Sequence, residues 1–256
     1  MLNFIRHGTK TEKPPLLIAH GLFGSARNWG VIAKRLSSER EVIVVDMRNH
    51  GSSPWSDTHT YEAMASDLAE VITAELDGNA HVLGHSMGGK AVMVLALKYP
   101  ECVGRLTVAD IAPVPYGHSQ QSNIDAMLAV DLDAIETRQD ALRALEPLVS
   151  EASLAAFFTQ SLDVKARKWR LNLEALAKEM PNVLAFPDCS GDPAFAGPVL
   201  FLSGANSDYV QPEHRSVIKP LFPAARFAKI PDAGHWLHAE NPRAFVAALE
   251  VWLNAA

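Results

Sequence analysis

Residues 81–100, HVLGHSMGGKAVMVLALKYP, decide the fold of this chain. The short apolar run His81 to Leu83 reads as a strand, and the Ala- and Leu-rich stretch from Gly88 to Tyr99 reads as a helix. Between them stands Gly84-His85-Ser86-Met87-Gly88, a Gly-x-Ser-x-Gly pentapeptide. That pattern alone is short and would pass for a Gly-rich turn, but a strand running into it and a helix running out form the context of a nucleophile elbow. Gly84 and Gly88 leave room for the tight crossing of strand and helix. Ser86 would then project from the top of a sheet at a helix N-terminus, where free amides favour negative charge.

The rest of the chain repeats this alternation. Leu16 to Ala19, Val42 to Val45, Leu106 to Ala109 and Val199 to Leu202 are further short runs of Val, Ile and Leu. Helical stretches lie between them at Ala26 to Leu36, Tyr61 to Leu76, Glu213 to Leu221 and Arg243 to Leu253. Such an order predicts an α/β fold with a mostly parallel central sheet and helices on both faces. Leu2 to His7 is expected to add an antiparallel edge. From Pro115 to Asp188 no convincing strand is visible, and apolar residues recur at helical spacing, with Pro and Gly at both joins. The expected organisation is a core domain of residues 1–114 and 189–256 carrying an inserted helical cap, 115–188. A cap would lie over the strand ends, where open α/β sheets bind ligands.

Composition narrows the function. The chain has 256 residues, a net charge of −6 and scattered basic residues, so neither a nucleic-acid groove nor an acidic membrane surface is indicated, and a small-molecule substrate is expected. Cys102 and Cys189 stand far apart and read as buried free thiols, not as a disulfide framework or thiol metal site. No secretory signal and no membrane-length apolar run is recognisable, which gives a cytoplasmic expectation. The oligomeric state is left open.

An alcohol needs a base to accept its proton. Of the ten histidines, His7 and His59 read as surface residues, His81 lies in a strand and His85 in the elbow. His235 follows a predicted strand and Gly-containing turn and precedes the last helix, which places it on a loop at the elbow's sheet edge. A metal reading of His235 with His238 lacks a third ligand. The imidazole in turn needs a carboxylate to fix its tautomer. Asp46, Asp110 and Asp208 follow strands. A bridge to Arg48 is the expected role of Asp46. Asp208 lies where the commonest hydrolases of this architecture place their acid, though one residue late after Gly204, and otherwise reads as a surface-loop residue. Asp110 ends a buried strand, where a carboxylate is costly unless paired, and His235 would pair it. One oxyanion donor is expected from the Met87 amide, the residue after the nucleophile.

The segments AHGLFGSARNWG, DMRNHGSSP, HTYEAMASDL, GHSMGG and DAGHWLHAENP, in this order, resemble the α/β-hydrolase superfamily. More narrowly, they are similar to the bacterial YbfF-type esterases and their mitochondrial relatives, abhydrolase-domain protein eleven. The resemblance spans nearly the whole chain and is weakest in the cap. It implies Asp110 as the acid behind His235. It also implies the Leu22 amide as second oxyanion donor, with Phe23 as a neighbouring alternative, while His20 braces that loop. The implied activity is hydrolysis of short- to medium-chain acyl esters, with acyl-CoA thioesters as a further candidate class, through an acyl-enzyme on Ser86, with no cofactor and no metal. Phe23, Trp169 and Trp236 are the expected pocket residues, although such large apolar groups more often fill a core. Competing expectations are a cofactor-free haloperoxidase, perhydrolase or lyase on the same residues, or a non-catalytic ligand receptor.

Overall fold

The computed structural model describes residues 1–189 and 191–255. Its strands are β1 (Phe4–His7), β2 (Leu16–Ala19), β3 (Val42–Val45), β4 (Ala80–His85), β5 (Val103–Ala109), β6 (Leu162–Asp163), β7 (Lys168–Trp169), β8 (Val199–Gly204) and β9 (Ala225–Ile230). Seven of them form one sheet in the order β1-β3-β2-β4-β5-β8-β9. Only β1 is antiparallel, pairing with β3 as the expected edge. All residues of β2, β3, β4 and β8 are buried, which is why their sequences are continuous apolar runs without alternation.

Helices cover both faces. α1 (Gly30–Leu36) and α11 (Pro242–Leu253) share one apolar cluster with Leu16, Ile18, Val42 and Val44, while α2 (Tyr61–Glu75) and α3 (Met87–Lys98) belong to the cluster on the other face. α3 is buried from Met87 to Leu97 on all sides, so it shows no polar stripe. The chain leaves β2 for β3 on one side and returns to β4 on the other. The order therefore reverses between the carboxyl ends of β2 and β4, the place where such sheets open a crevice.

Between β5 and β8 lie α4 (Gln121–Leu128), α5 (Arg138–Leu145), α6 (Ala152–Thr159), α7 (Leu173–Lys178) and α8 (Met180–Leu184). This insertion is not wholly helical, as the sequence had suggested. β6 and β7 form a small antiparallel hairpin in it, with Arg167 in a left-handed turn at φ 51°. Two residues per strand are too few for a periodicity to be read. α9 (Arg215–Leu221) and α10 (Leu237–Glu240) complete the helices, and none among the described residues is long and apolar enough to cross a membrane. Ser190 and Ala256, which fall in the expected core range, lie outside the described residues.

Backbone contact fixes the elbow. A Cβ on Gly84 would run into the backbone of Gly88, and one on Gly88 would come within 2.5 Å of the His20 carbonyl oxygen. Neither neighbour is a side chain that could swing away. Replacing Gly88 with Ala should therefore cost about 2–4 kcal/mol in urea unfolding, since the helix must retreat from β2. Gly30, whose added Cβ meets nothing within 4 Å, is the control: Gly30→Ala should be neutral or stabilise by up to about 1 kcal/mol. Equal effects at the two positions would contradict this packing account.

Candidate active site

Ser86 caps the start of α3 with φ 52° and ψ −119°, a conformation that costs on the order of 1–3 kcal/mol for a residue with a side chain. Its amide donates to the Ala109 carbonyl at 3.0 Å and its carbonyl accepts from the Lys90 amide at 3.1 Å, so the turn is held from both sides. The Ser86 hydroxyl lies 3.0 Å from His235 Nε2. His235 Nδ1 lies 2.7 Å from Asp110 Oδ2, as the donor if Nε2 accepts the serine proton.

Asp110 is completely buried, and every oxygen of its carboxylate is used. Oδ1 accepts from the Gly204 amide at 3.0 Å, and Oδ2 accepts from the Ser207 hydroxyl at 2.5 Å as well as from His235. Ser207 occupies the position three residues after Gly204, where a carboxylate had been sought, and supplies a donor instead. Asp208 is exposed, and its backbone carbonyl accepts from Gln211. Three further side chains, which sequence reasoning had left without a role, support the His235 loop and ring. His85 Nε2 lies 2.8 Å from the His235 carbonyl, and burial pushes the His85 ring well below the usual histidine range, so it stays neutral and donates. The Tyr209 ring stacks on His235 with centroids 3.9 Å apart, and the Tyr116 hydroxyl donates to the Tyr209 carbonyl at 2.7 Å.

The loop after β2 is locked by two neutral histidines. His20 pairs through Nδ1 with the Gly21 carbonyl at 2.8 Å and accepts the Met47 amide at Nε2, 3.0 Å, so both ring nitrogens are taken by the loop it braces. His50 accepts the Phe23 amide at 3.1 Å and pairs through Nδ1 with the Arg48 carbonyl at 2.8 Å. Burial lowers both rings' proton affinity, as accepting an amide requires. The Phe23 amide is thereby committed, which removes it as an alternative oxyanion donor. Among the described residues, no acceptor in the protein takes the amides of Leu22 or Met87.

Two expectations about this region are corrected. His59 is buried, against the Asn49 amide group and the Met87 sulfur, and burial pushes it down to about 4. Its flanking Thr58 and Thr60 gave no apolar pattern that would have shown this. Asp46 does not bridge to Arg48. It accepts the amides of Ala26 and Ser52 and the Asn3 side chain, while Arg48 makes a two-pronged pair with Asp67 on α2. Both still serve the loop, but through partners distant in sequence.

Ser86, Leu22, Phe23, Met87, His235 and Trp236 open on one cavity of about 400 Å³ under α6 and α8. Trp169 does not line it. Its ring is buried within the inserted segment and its Nε1 donates to the Met127 carbonyl at 3.0 Å, so it belongs to that segment's own core. Among the described residues, no cluster of three or more His, Cys, Asp or Glu could hold a metal ion.

Known proteins share this arrangement of chain. Residues 14–242 match the family model for the alpha/beta hydrolase fold. The sn-1-specific diacylglycerol lipase ABHD11 of Mus musculus is 41% identical over 253 residues, covering 94% of this chain and 81% of the relative. Esterase YbfF of Escherichia coli K12 is 38% identical over 241 residues, covering 94% and 93%. A solved marine microorganism esterase superposes with a TM-score of 0.91 at 35% identity, covering 97% and 98%. The chain thus belongs to the α/β-hydrolase family, in its YbfF- and ABHD11-like branch, and is an esterase- or lipase-type hydrolase.

Proposed function

We propose that this hydrolase cleaves short- to medium-chain acyl esters, and acyl thioesters of similar size, through a Ser86-His235-Asp110 triad. The observation that carries the reading is the unbroken hydrogen-bonded line from the Ser86 hydroxyl through His235 to the buried Asp110 carboxylate, at 3.0 and 2.7 Å. In this mechanism Ser86 Oγ attacks the acyl carbonyl while His235 Nε2 takes its proton. The oxygen that becomes negative is met by the amides of Leu22 and Met87, both without another acceptor among the described residues. His235 then returns the proton to the departing alcohol or thiol. A water activated by the same nitrogen releases the acid. Asp110 holds the imidazole tautomer and stabilises its positive form.

Residues 115–188 act as a cap in this scheme and residues 1–114 with 189–256 as the core. The cap's Leu154, Phe157 and Val183 meet core residues Phe23, Met87 and Trp236 around the cavity, whose volume suits a short to medium acyl chain and not a long one fully enclosed.

Two substitutions at the acid end test the assignment on p-nitrophenyl butyrate. Asp110→Asn should lower kcat by about 10³- to 10⁴-fold, because the amide forces the wrong histidine tautomer, while Asp208→Asn should stay within about twofold of wild type. The reverse pattern would transfer the acid role to Asp208. Ser207→Ala removes a neutral donor from a buried carboxylate and should cost about 10- to 100-fold in kcat, in line with a hydrogen bond to a charged group worth roughly 1.5–3 kcal/mol. Unchanged kcat in that variant would mean Ser207 does not position Asp110.

A further inference from the structure

Lys90 lies one helical turn beyond the nucleophile on α3, and with 1% of its surface exposed it is among the largest fully buried side chains of the protein. Its amide donates to the Ser86 carbonyl at 3.1 Å, so its backbone is tied to the elbow. It lines the same cavity. Its Nζ donates to the carbonyls of Leu184 at 2.9 Å and Ala185 at 2.6 Å, at the C-terminal end of α8, and sits over the rings of Tyr116 and Tyr61 at 4.9 and 5.6 Å. An ammonium carries three protons, and those two carbonyls take two.

Among the described residues no carboxylate is seen paired with this charge. Among the described residues that line the cavity, Lys90 is the only Lys or Arg, and Asp and Glu are absent. A clamp between α3 and α8 does not require a charge: the Leu184 carbonyl already accepts the Tyr116 amide at 3.0 Å, and an apolar residue of similar volume avoids the desolvation of a buried ion. The carbonyls and ring faces solvate the ammonium but leave its charge unneutralised, and a cation so held in a cavity wall can take a counter-charge that arrives with the ligand.

We infer that Lys90 is a substrate-binding residue that pairs with a carboxylate at the far end of the acyl group, so that the enzyme accepts half-esters or half-thioesters of short dicarboxylic acids. The inference rests on the esterase reading above and names the acyl class that site selects. The titratable groups facing Lys90 are the phenols of Tyr61 on α2 and Tyr116 after β5, both pushed upward by burial and therefore neutral. Burial lowers Lys90 itself to about 7, with no compensating charge. The protonated form is the one that attracts a carboxylate. KM for a carboxylated substrate should therefore rise as pH increases through and above about 7, while KM for its neutral counterpart does not follow.

Monoethyl glutarate and ethyl valerate, compared by ethanol release, test this directly. Lys90→Met should lower the ratio of kcat/KM for the half-ester to that for the neutral ester by about 30-fold, the loss expected when one partner of a buried charge pair is removed. A ratio within about threefold of wild type would reduce Lys90 to a clamp and overturn the inference. Should the variant not fold, the wild-type enzyme decides: a half-ester KM that rises relative to the neutral-ester KM between pH 6 and 9 supports the subsite, and a constant ratio of the two overturns it. Absence of ethanol release from both esters would instead count against the esterase reading itself.

Discussion

A carboxylate with no access to water directly follows β5, and the site is arranged around the need to satisfy it. Asp110 receives the Gly204 amide from β8, the Ser207 hydroxyl from the loop beyond it, and His235 from the loop after β9. Left unpaired, such a charge would cost several kcal/mol, so the three segments that reach it are bound to one another by it. The sheet order makes this possible, because β5, β8 and β9 are neighbours whose carboxyl ends rise on the same edge. Asp110 itself takes a left-handed conformation at φ 53°, with its amide held by the Leu202 carbonyl at 3.0 Å.

The second half of the site is built by backbone contact. Gly84 and Gly88 let α3 rest against the carbonyls of β2, which brings the start of α3 beside the loop Gly21–Leu22 at the point where strand order reverses. His20 and His50 then tie that loop to the segment after β3. Both rings are kept neutral by burial, and each must remain so, since a protonated imidazole cannot accept an amide proton. In the proposed mechanism, rigid donors on this loop would be effective because they need no rearrangement when negative charge appears.

Much of this was legible in the sequence. Buried parallel strands announce themselves as runs of Val, Ile and Leu, and the elbow carries its own glycines, so the sheet and Ser86 were both readable. His235 was readable from its place between the last strand and the last helix. The choice between Asp110 and Asp208 was harder, because they follow adjacent strands and only the three-dimensional path of the loop shows that Ser207, not Asp208, meets the Asp110 carboxylate, which pairs with His235. His85, Ser207, Tyr209 and Lys90 were hidden for a common reason: their partners are other loops far away in sequence. Lys90 was further disguised by sitting in an otherwise apolar helix, where one lysine reads as a surface residue. Trp169 erred in the opposite direction, since a large aromatic in the inserted segment serves that segment's own core as readily as a pocket.

The central claim is that Ser86 is a nucleophile activated by His235. It is tested most directly by treating the protein with a fluorophosphonate and mapping the adduct by mass spectrometry. The account predicts a single phosphonyl adduct on the tryptic peptide that ends at Lys90, carried by Ser86, absent in Ser86→Ala and formed far more slowly in His235→Ala. An adduct elsewhere, or labelling of Ser86 at an undiminished rate without His235, would contradict it.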